Sequence, residues 1–363
     1  MSSDGRADLW ARLRDAALVE GEMPEPGEAR VPWFVRVMLG FAGWIGALFL
    51  LGFVGVAFVF VFKNAGAAVV VGAGACAAAV AIFRAAPKSD FMAQFGLAVS
   101  LAGQVLLIYG FAQWLPRSAN GMALVIALQE ALLFVLIPNF LHRLLSAWAG
   151  ALAIVWLIVD AGFFAFAPAV ITAAFIWVWL SEFEFGRHGA LARAGGYGLA
   201  IASVQTAVMH GALWGLWMAS MGHRQAGAGP VVEWLGHAAS AAVLLWAVFK
   251  LLKREGLALD SGQGRVALAG ALILGLASLK APGVAPAVAI LVVGHANGNR
   301  VLAGLGILAL LGYLSHYYYS LQTTLLMKSA LLAATGIALL VARLAMRHWW
   351  PEAPAKQEEA SHA

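Results

Sequence analysis

Charge is what this chain has least of. Asp, Glu, Lys and Arg together make up only 11% of its 363 residues, against roughly 25% in soluble domains. So few polar groups cannot coat a folded surface in water, which excludes a soluble enzyme and a disordered chain. Cysteine is nearly absent as well. The single Cys76 excludes an intramolecular disulfide and any multi-cysteine metal site. The formal charge of +5 is spread too thinly to be a nucleic-acid footprint. The first 30 residues lack an apolar run, which predicts that no cleavable signal peptide precedes the first span.

What is present in excess is hydrophobicity, at 62% where soluble chains hold about 45–50%. From Val37 onward apolar runs follow one another with short polar breaks. Twelve can be placed: 37–62, 66–83, 93–115, 119–140, 144–161, 163–180, 196–221, 231–252, 266–279, 283–296, 301–319 and 323–346. Most reach the ~20 residues that a helix needs to cross the ~30 Å hydrocarbon layer. The breaks contain Pro87, Pro116, Arg143, Pro230 and Asp260, residues suited to turns. The ninth and tenth runs are short, and their length alone leaves open whether each spans fully or the two form a re-entrant hairpin. The expected fold is therefore all-α, a polytopic transmembrane helical bundle of about 12 spans.

Sidedness follows from the basic residues. With the N-terminus inside, 18 of the 23 Lys and Arg fall on the cytoplasmic side and Lys63, Arg117, Arg224, Lys280 and Lys328 on the other. By the positive-inside rule both termini are expected in the cytoplasm. Residues 1–30 then form a cytoplasmic segment with a short amphipathic helix, in which Leu9, Leu13 and Ala17 recur beside Trp10 before Pro24 and Pro26 break it. Residues 31–348 form the multi-span membrane domain, and 349–363 a cytoplasmic tail. The 40 glycines suit close helix packing in lipid, and several of the 14 tryptophans stand near run ends, where interfacial belts form.

Two stretches imitate a dinucleotide-binding fingerprint: Gly72-Ala73-Gly74-Ala75-Cys76-Ala77 and Gly304-Leu305-Gly306-Ile307-Leu308-Ala309. Each lies inside an apolar run without a preceding strand or an acidic ribose partner, so both read as packing glycines. His142, His188, His210, His223, His237, His295, His316, His348 and His362 are scattered, with no pair at metal-ligand spacing. No catalytic residue, metal site or cofactor emerges, and the expectation is a protein that is not an enzyme.

The informative residues are polar ones inside apolar runs, because a charge at mid-membrane costs roughly 3 kcal/mol. Glu130 sits at the middle of the fourth run, with Gln104, Gln205 and His210 at similar depth and Lys328 about a third of the way into the twelfth. Glu130, Gln104, His210 and Lys328 make a candidate buried polar site, with Glu130 as a proton or cation group. His316, Tyr317, Tyr318 and Tyr319 end the eleventh run; with His237 and Glu233 of the eighth they make a candidate outer-side cluster. Together they suggest a polar cavity opening outward. Interhelical hydrogen bonds that glue the bundle remain the alternative.

Two short blocks carry a resemblance. Pro32-Trp33-Phe34-Val35-Arg36 with Leu39-Gly40-Phe41-Ala42-Gly43-Trp44 forms the first. Gly298-Asn299-Arg300, Tyr317-Tyr318-Tyr319-Ser320-Leu321 and Thr324-Leu325-Leu326-Met327-Lys328-Ser329 form the second. They resemble the bacterial membrane family catalogued as domain of unknown function 4401, over about residues 31 to 346. The resemblance implies a Gram-negative inner-membrane protein, often encoded beside a membrane-anchored partner with a GDYxxLxY motif, and implies no activity. Two function classes stay open: a transporter-like protein with a buried polar site around Glu130, and a non-catalytic membrane scaffold or assembly partner. The lipid bilayer is the common partner of both, nucleic acid of neither. The substrate, the oligomeric state and the protonation of Glu130 lie beyond the sequence.

Overall fold

In the computed structural model, the residues described are 10–16, 19, 61, 63–85, 89–115, 118–182, 186, 189–209 and 229–320, with scattered positions between 34 and 52 and between 326 and 340. Among them no strand occurs, and residues 10–15 are helical. The chain is all-α. Ten helices follow in order: α1 (Ala65–Ala85), α2 (Asp90–Trp114), α3 (Ala119–Leu136), α4 (Phe140–Asp160), α5 (Ala167–Leu180), α6 (Gly189–Val208), α7 (Pro230–Arg254), α8 (Gly262–Ser278), α9 (Val284–Ala296) and α10 (Arg300–Ser320). A 3₁₀ turn, Phe164–Phe166, leads into α5.

Five of these, α1, α2, α3, α4 and α7, are long and apolar enough to cross a membrane. The burial pattern agrees with a lipid surrounding, because large apolar side chains point outward. On α3, Leu128 and Leu132 are 62% and 60% exposed, whereas Glu130 between them is 3% exposed. A water-soluble helix has the opposite polarity, apolar stripe inward and charge outward. These features make the chain a membrane protein.

Helix starts are set by short polar caps. Ser89, Ser118 and Ser261 each accept a hydrogen bond from the backbone N–H three residues on, opening α2, α3 and α8, and Asn299 does the same for Leu302 in α10. The sequence placed Arg143 in a break, but the break comes earlier. Pro138 disfavours helical backbone at the residue before it, and Ile137 is extended with ψ 113°. Asn139 then caps α4 by accepting from His142 N at 3.0 Å, so His142 and Arg143 belong to a helix. Pro230, also expected in a break, opens α7, a first-turn position where its missing N–H is harmless.

The chain divides into two compact units, Met1–Arg143 and Leu144–Ala363. In the first, α1 and α2 lie backbone to backbone. A Cβ at Gly72 would stand 2.7 Å from Gly103 O, and one at Gly103 would stand 2.8 Å from both Gly72 O and Cys76 Sγ. Gly74 faces open space. Of the two glycines in the Gly72–Ala77 stretch, one packs and one does not, as helical geometry requires for positions two apart. The Gly304–Ala309 stretch repeats this pattern: Gly306 abuts the Leu291 backbone and Gly304 is open.

In the second unit α9 is the centre. Nine of its residues, from Val284 to Gly294, are buried, in a core that includes Phe175 and Trp179 of α5, Ala200 of α6, Leu244 and Ala247 of α7, and Leu302 and Tyr313 of α10. Neighbours run in alternating directions. The end of α8 reaches the second turn of α7, where the ring of His237 meets Leu279 O at 3.1 Å. The end of α9 reaches the end of α7, where Arg254 donates to Asn297 Oδ1 at 2.7 Å and to Ala296 O at 3.2 Å. The α8–α9 pair therefore follows α7 from its last turn to its second turn and back. Thirteen residues cover only about 20 Å. A helix this short is accommodated because protein, and not lipid, surrounds it.

Candidate functional site

Ser100 and Gln104 are one helical turn apart on α2 and share a face. Both are buried, and Ser100 is 0% exposed. The Gly72–Gly103 contact draws α1 close beside them, and the Cys76 thiol lies 3.8 Å from the Ser100 carbonyl. His142, 1% exposed, arrives from the first turn of α4. Its Nε2 is 2.8 Å from Ser100 Oγ and 3.1 Å from Gln104 Nε2, while Gln104 Nε2 donates to Ser100 Oγ at 3.3 Å. The ring is held edge-on to Phe83 of α1, with centroids 6.3 Å apart. Next to it the Arg143 guanidinium donates to Phe134 O at 3.1 Å, tying the α3–α4 turn shut.

Glu130 lies in the same unit on α3. Its carboxylate accepts from the neighbouring Gln129 amide at 3.4 Å and interacts electrostatically with Cys76. Three helices and the start of a fourth therefore bring a carboxylate, an imidazole, a hydroxyl, an amide and a thiol into one small apolar unit. Among the described residues, no three His, Cys, Asp or Glu side chains gather as a metal site would require.

Of the expected buried site, Gln104 and Glu130 are present in this unit. His210 and Lys328 lie outside the described residues. Gln205 instead joins the second unit, accepting from Trp148 Nε1 at 2.7 Å. Sequence reasoning missed His142 and Ser100. The available signals were the Ser100–Gln104 pair at one-turn spacing in an apolar run, and the Pro138-Asn139 break that puts His142 three residues into a helix.

The expected outer-side cluster falls at one end of the second unit. His237 bonds Leu279 O, Glu233 is exposed in the first turn of α7, and Tyr318 and Tyr319 stack edge to face at 5.4 Å. His316 is half-buried on α10, and the side chain of Tyr317 is outside the described residues. Two members were not foreseen: Lys280 Nζ stands 5.8 Å from the Trp234 ring centroid, and the buried Tyr313 ring covers Gly283 at the start of α9. At the opposite end Tyr197 of α6 and Asn299 exchange hydrogen bonds of 3.0 and 2.8 Å.

The Ser100–Gln104–His142 cluster has a measurable consequence for stability. His142→Leu removes the acceptor for two buried donors. A buried unpaired donor costs about 1–3 kcal/mol, and interhelical bonds in lipid average about 0.6 kcal/mol, so a loss of about 2 kcal/mol is expected. His142→Gln keeps an acceptor and should lose less than about 1 kcal/mol. Unfolding midpoints in an SDS titration check this, and equal midpoints for wild type and both variants would contradict it.

No curated protein and no solved structure matches the chain. A family model does: that of Domain of unknown function (DUF4401), over residues 32–348. With that match across most of its length, and with the apolar, outward-facing helices that the resemblance led one to expect, the chain belongs to the DUF4401 family.

Proposed function

We propose that this protein is a multi-pass protein of the inner membrane, with both termini cytoplasmic, that works as a transporter-like carrier through the buried polar site of its first unit. The observation that carries this reading is the inverted polarity of α3: Glu130 is buried while Leu128 and Leu132 on either side are exposed. An ionisable residue turned inward among membrane helices is a functional-site candidate by default, an ion or proton path among the roles it marks. Ser100 and His142 form a hydroxyl–imidazole pair that could serve hydrolysis elsewhere. Here their burial suits a proton or a small cation better than an acyl substrate. The test is the purified protein in sealed vesicles with an internal pH-sensitive dye. An imposed gradient should collapse faster than in protein-free vesicles; equal rates overturn proton carriage.

Orientation is supported by the second unit. Arg193, Lys250, Lys253, Arg254, Arg265 and Arg300 stand at one end of its helices and Lys280 at the other. In a Cys76→Ala background, Ser2→Cys and Ser361→Cys should resist an impermeant thiol reagent in intact spheroplasts, and Gly227→Cys should label. Labelling of either terminal position from outside contradicts the twelve-span arrangement with both ends inside.

A second reading, scaffold or assembly partner of another membrane protein, draws on different residues. In the second unit polar side chains pair across helices: the buried Thr172 with Ser203 at 2.6 Å, and the half-buried Trp148 with Gln205 and Tyr197 with Asn299. Such pairs are interhelical glue and need no ligand. A membrane-anchored partner with a GDYxxLxY motif would dock on this unit under the second reading.

A further inference from the structure

The hydrogen-bond geometry around His142 points to where its proton sits. An amide nitrogen only donates, and Gln104 Nε2 lies 3.1 Å from His142 Nε2. That ring nitrogen therefore presents its lone pair, and the imidazole carries its hydrogen on Nδ1. The same amide donates to Ser100 Oγ at 3.3 Å. The hydroxyl, having accepted, passes its own hydrogen to His142 Nε2 across 2.8 Å. Every bond in the triangle is satisfied by this one arrangement.

Adding a proton to Nε2 sets three donors against one another. A half-turn of the Gln104 amide exchanges its nitrogen and oxygen and places an acceptor at Nε2, while the Ser100 hydroxyl turns in place. Neither motion changes volume, so both are compatible with a fully packed interior. Of the groups near the ring, α4 brings Arg143 and α2 the neutral Ser100 and Gln104; α1 brings Cys76 to the Ser100 carbonyl, and Glu130 of α3 acts on that thiol.

We propose that His142 Nε2 is a proton-binding site whose loading is coupled to a flip of the Gln104 amide. The proposal rests on the carrier reading of the first unit and names its ligand as the proton. A solute would have to open the packing around two side chains that are 0% and 1% exposed. A proton needs only a chain of hydrogen-bonding groups, and Ser100, Gln104 and His142 supply one.

The test is nitrogen NMR of the full chain, labelled at histidine and glutamine side chains, in lipid nanodiscs. The His142 signal is identified by its loss in His142→Gln and, should that variant not fold, by its displacement in Gln104→Leu. At alkaline pH the signal should be that of the Nδ1–H tautomer. On acidification it should give way to the doubly protonated ring, with the Gln104 amide resonance moving at the same midpoint. In Gln104→Leu the midpoint should shift. An Nε2–H tautomer at alkaline pH, or a neutral signal that persists wherever the protein stays folded, overturns the proposal. The vesicle assay fails independently: titration of His142 without flux removes the carrier and leaves the site, and flux with a silent His142 removes the site and leaves the carrier.

Discussion

Glu130→Gln should fold as the wild type does and lose proton flux by roughly a hundredfold or more, the scale on which a positioned acid–base group contributes. Glutamine keeps the shape of the neutral acid and its hydrogen bonding, so Gln129 still has a neighbour to donate to. What it cannot do is titrate. Glu130→Leu should lose flux equally. It should also insert readily, because leucine at mid-membrane is favoured over a carboxylate by roughly 3 kcal/mol. The glue alternative predicts the reverse order: a normal Gln variant and a damaged Leu variant. Dye-loaded vesicles bearing equal amounts of each protein separate the two, and wild-type flux in Glu130→Gln would end the case for Glu130 as a proton group.

Gly103→Val should be strongly damaging to the first unit. The new Cβ would fall 2.8 Å from Gly72 O and from Cys76 Sγ, and 3.0 Å from the Ala75 Cβ. Backbone oxygen cannot step aside as a flexible side chain can, so α1 must move away from α2. Overpacking typically costs 1–3 kcal/mol, and a backbone contact lies at the upper end, about 3 kcal/mol. The displacement also withdraws Cys76 and Phe83 from Ser100 and His142, so flux should fall with stability. Gly74→Val on the same helix is the control, since nothing stands within 4 Å of its Cβ; it should change stability by less than about 0.5 kcal/mol. Similar SDS-unfolding midpoints for the two variants would mean that α1 and α2 are not in close contact.

Much of the helical plan could be read from hydropathy alone, because lipid rewards long apolar runs with little regard to their neighbours. The runs at 66–83, 93–115 and 231–252 correspond to α1, α2 and α7 within a few residues. Helix α6 starts at Gly189, ahead of the apolar run at 196–221, and so takes in the charged Arg193. In the structure that arginine points out to Glu182 at 3.0 Å and leaves the helix intact. Burial of Glu130 could be anticipated from the cost of exposing it to lipid. His142 could not be found in this way, since beside Pro138, Asn139 and Arg143 it resembles a loop residue. Its role depends on which face of α2 turns toward it, and hydropathy carries no information about faces. Most of the first and twelfth runs, Lys328 included, lies outside the residues described.

The encasement of α9 bears on how the protein is made. A segment of 13 residues is about 10 Å too short for a ~30 Å hydrocarbon layer, so lipid alone would hold it poorly when it leaves the ribosome. The helices that shelter it are synthesised on both sides of it: α5, α6 and α7 before, α10 after. Its stable placement must therefore wait for α10. During translation it is expected to linger with its neighbours at the insertion machinery until Leu302 and Tyr313 close over it. Chains truncated before Arg300 would then leave α9 exposed, and membrane proteases would find them first.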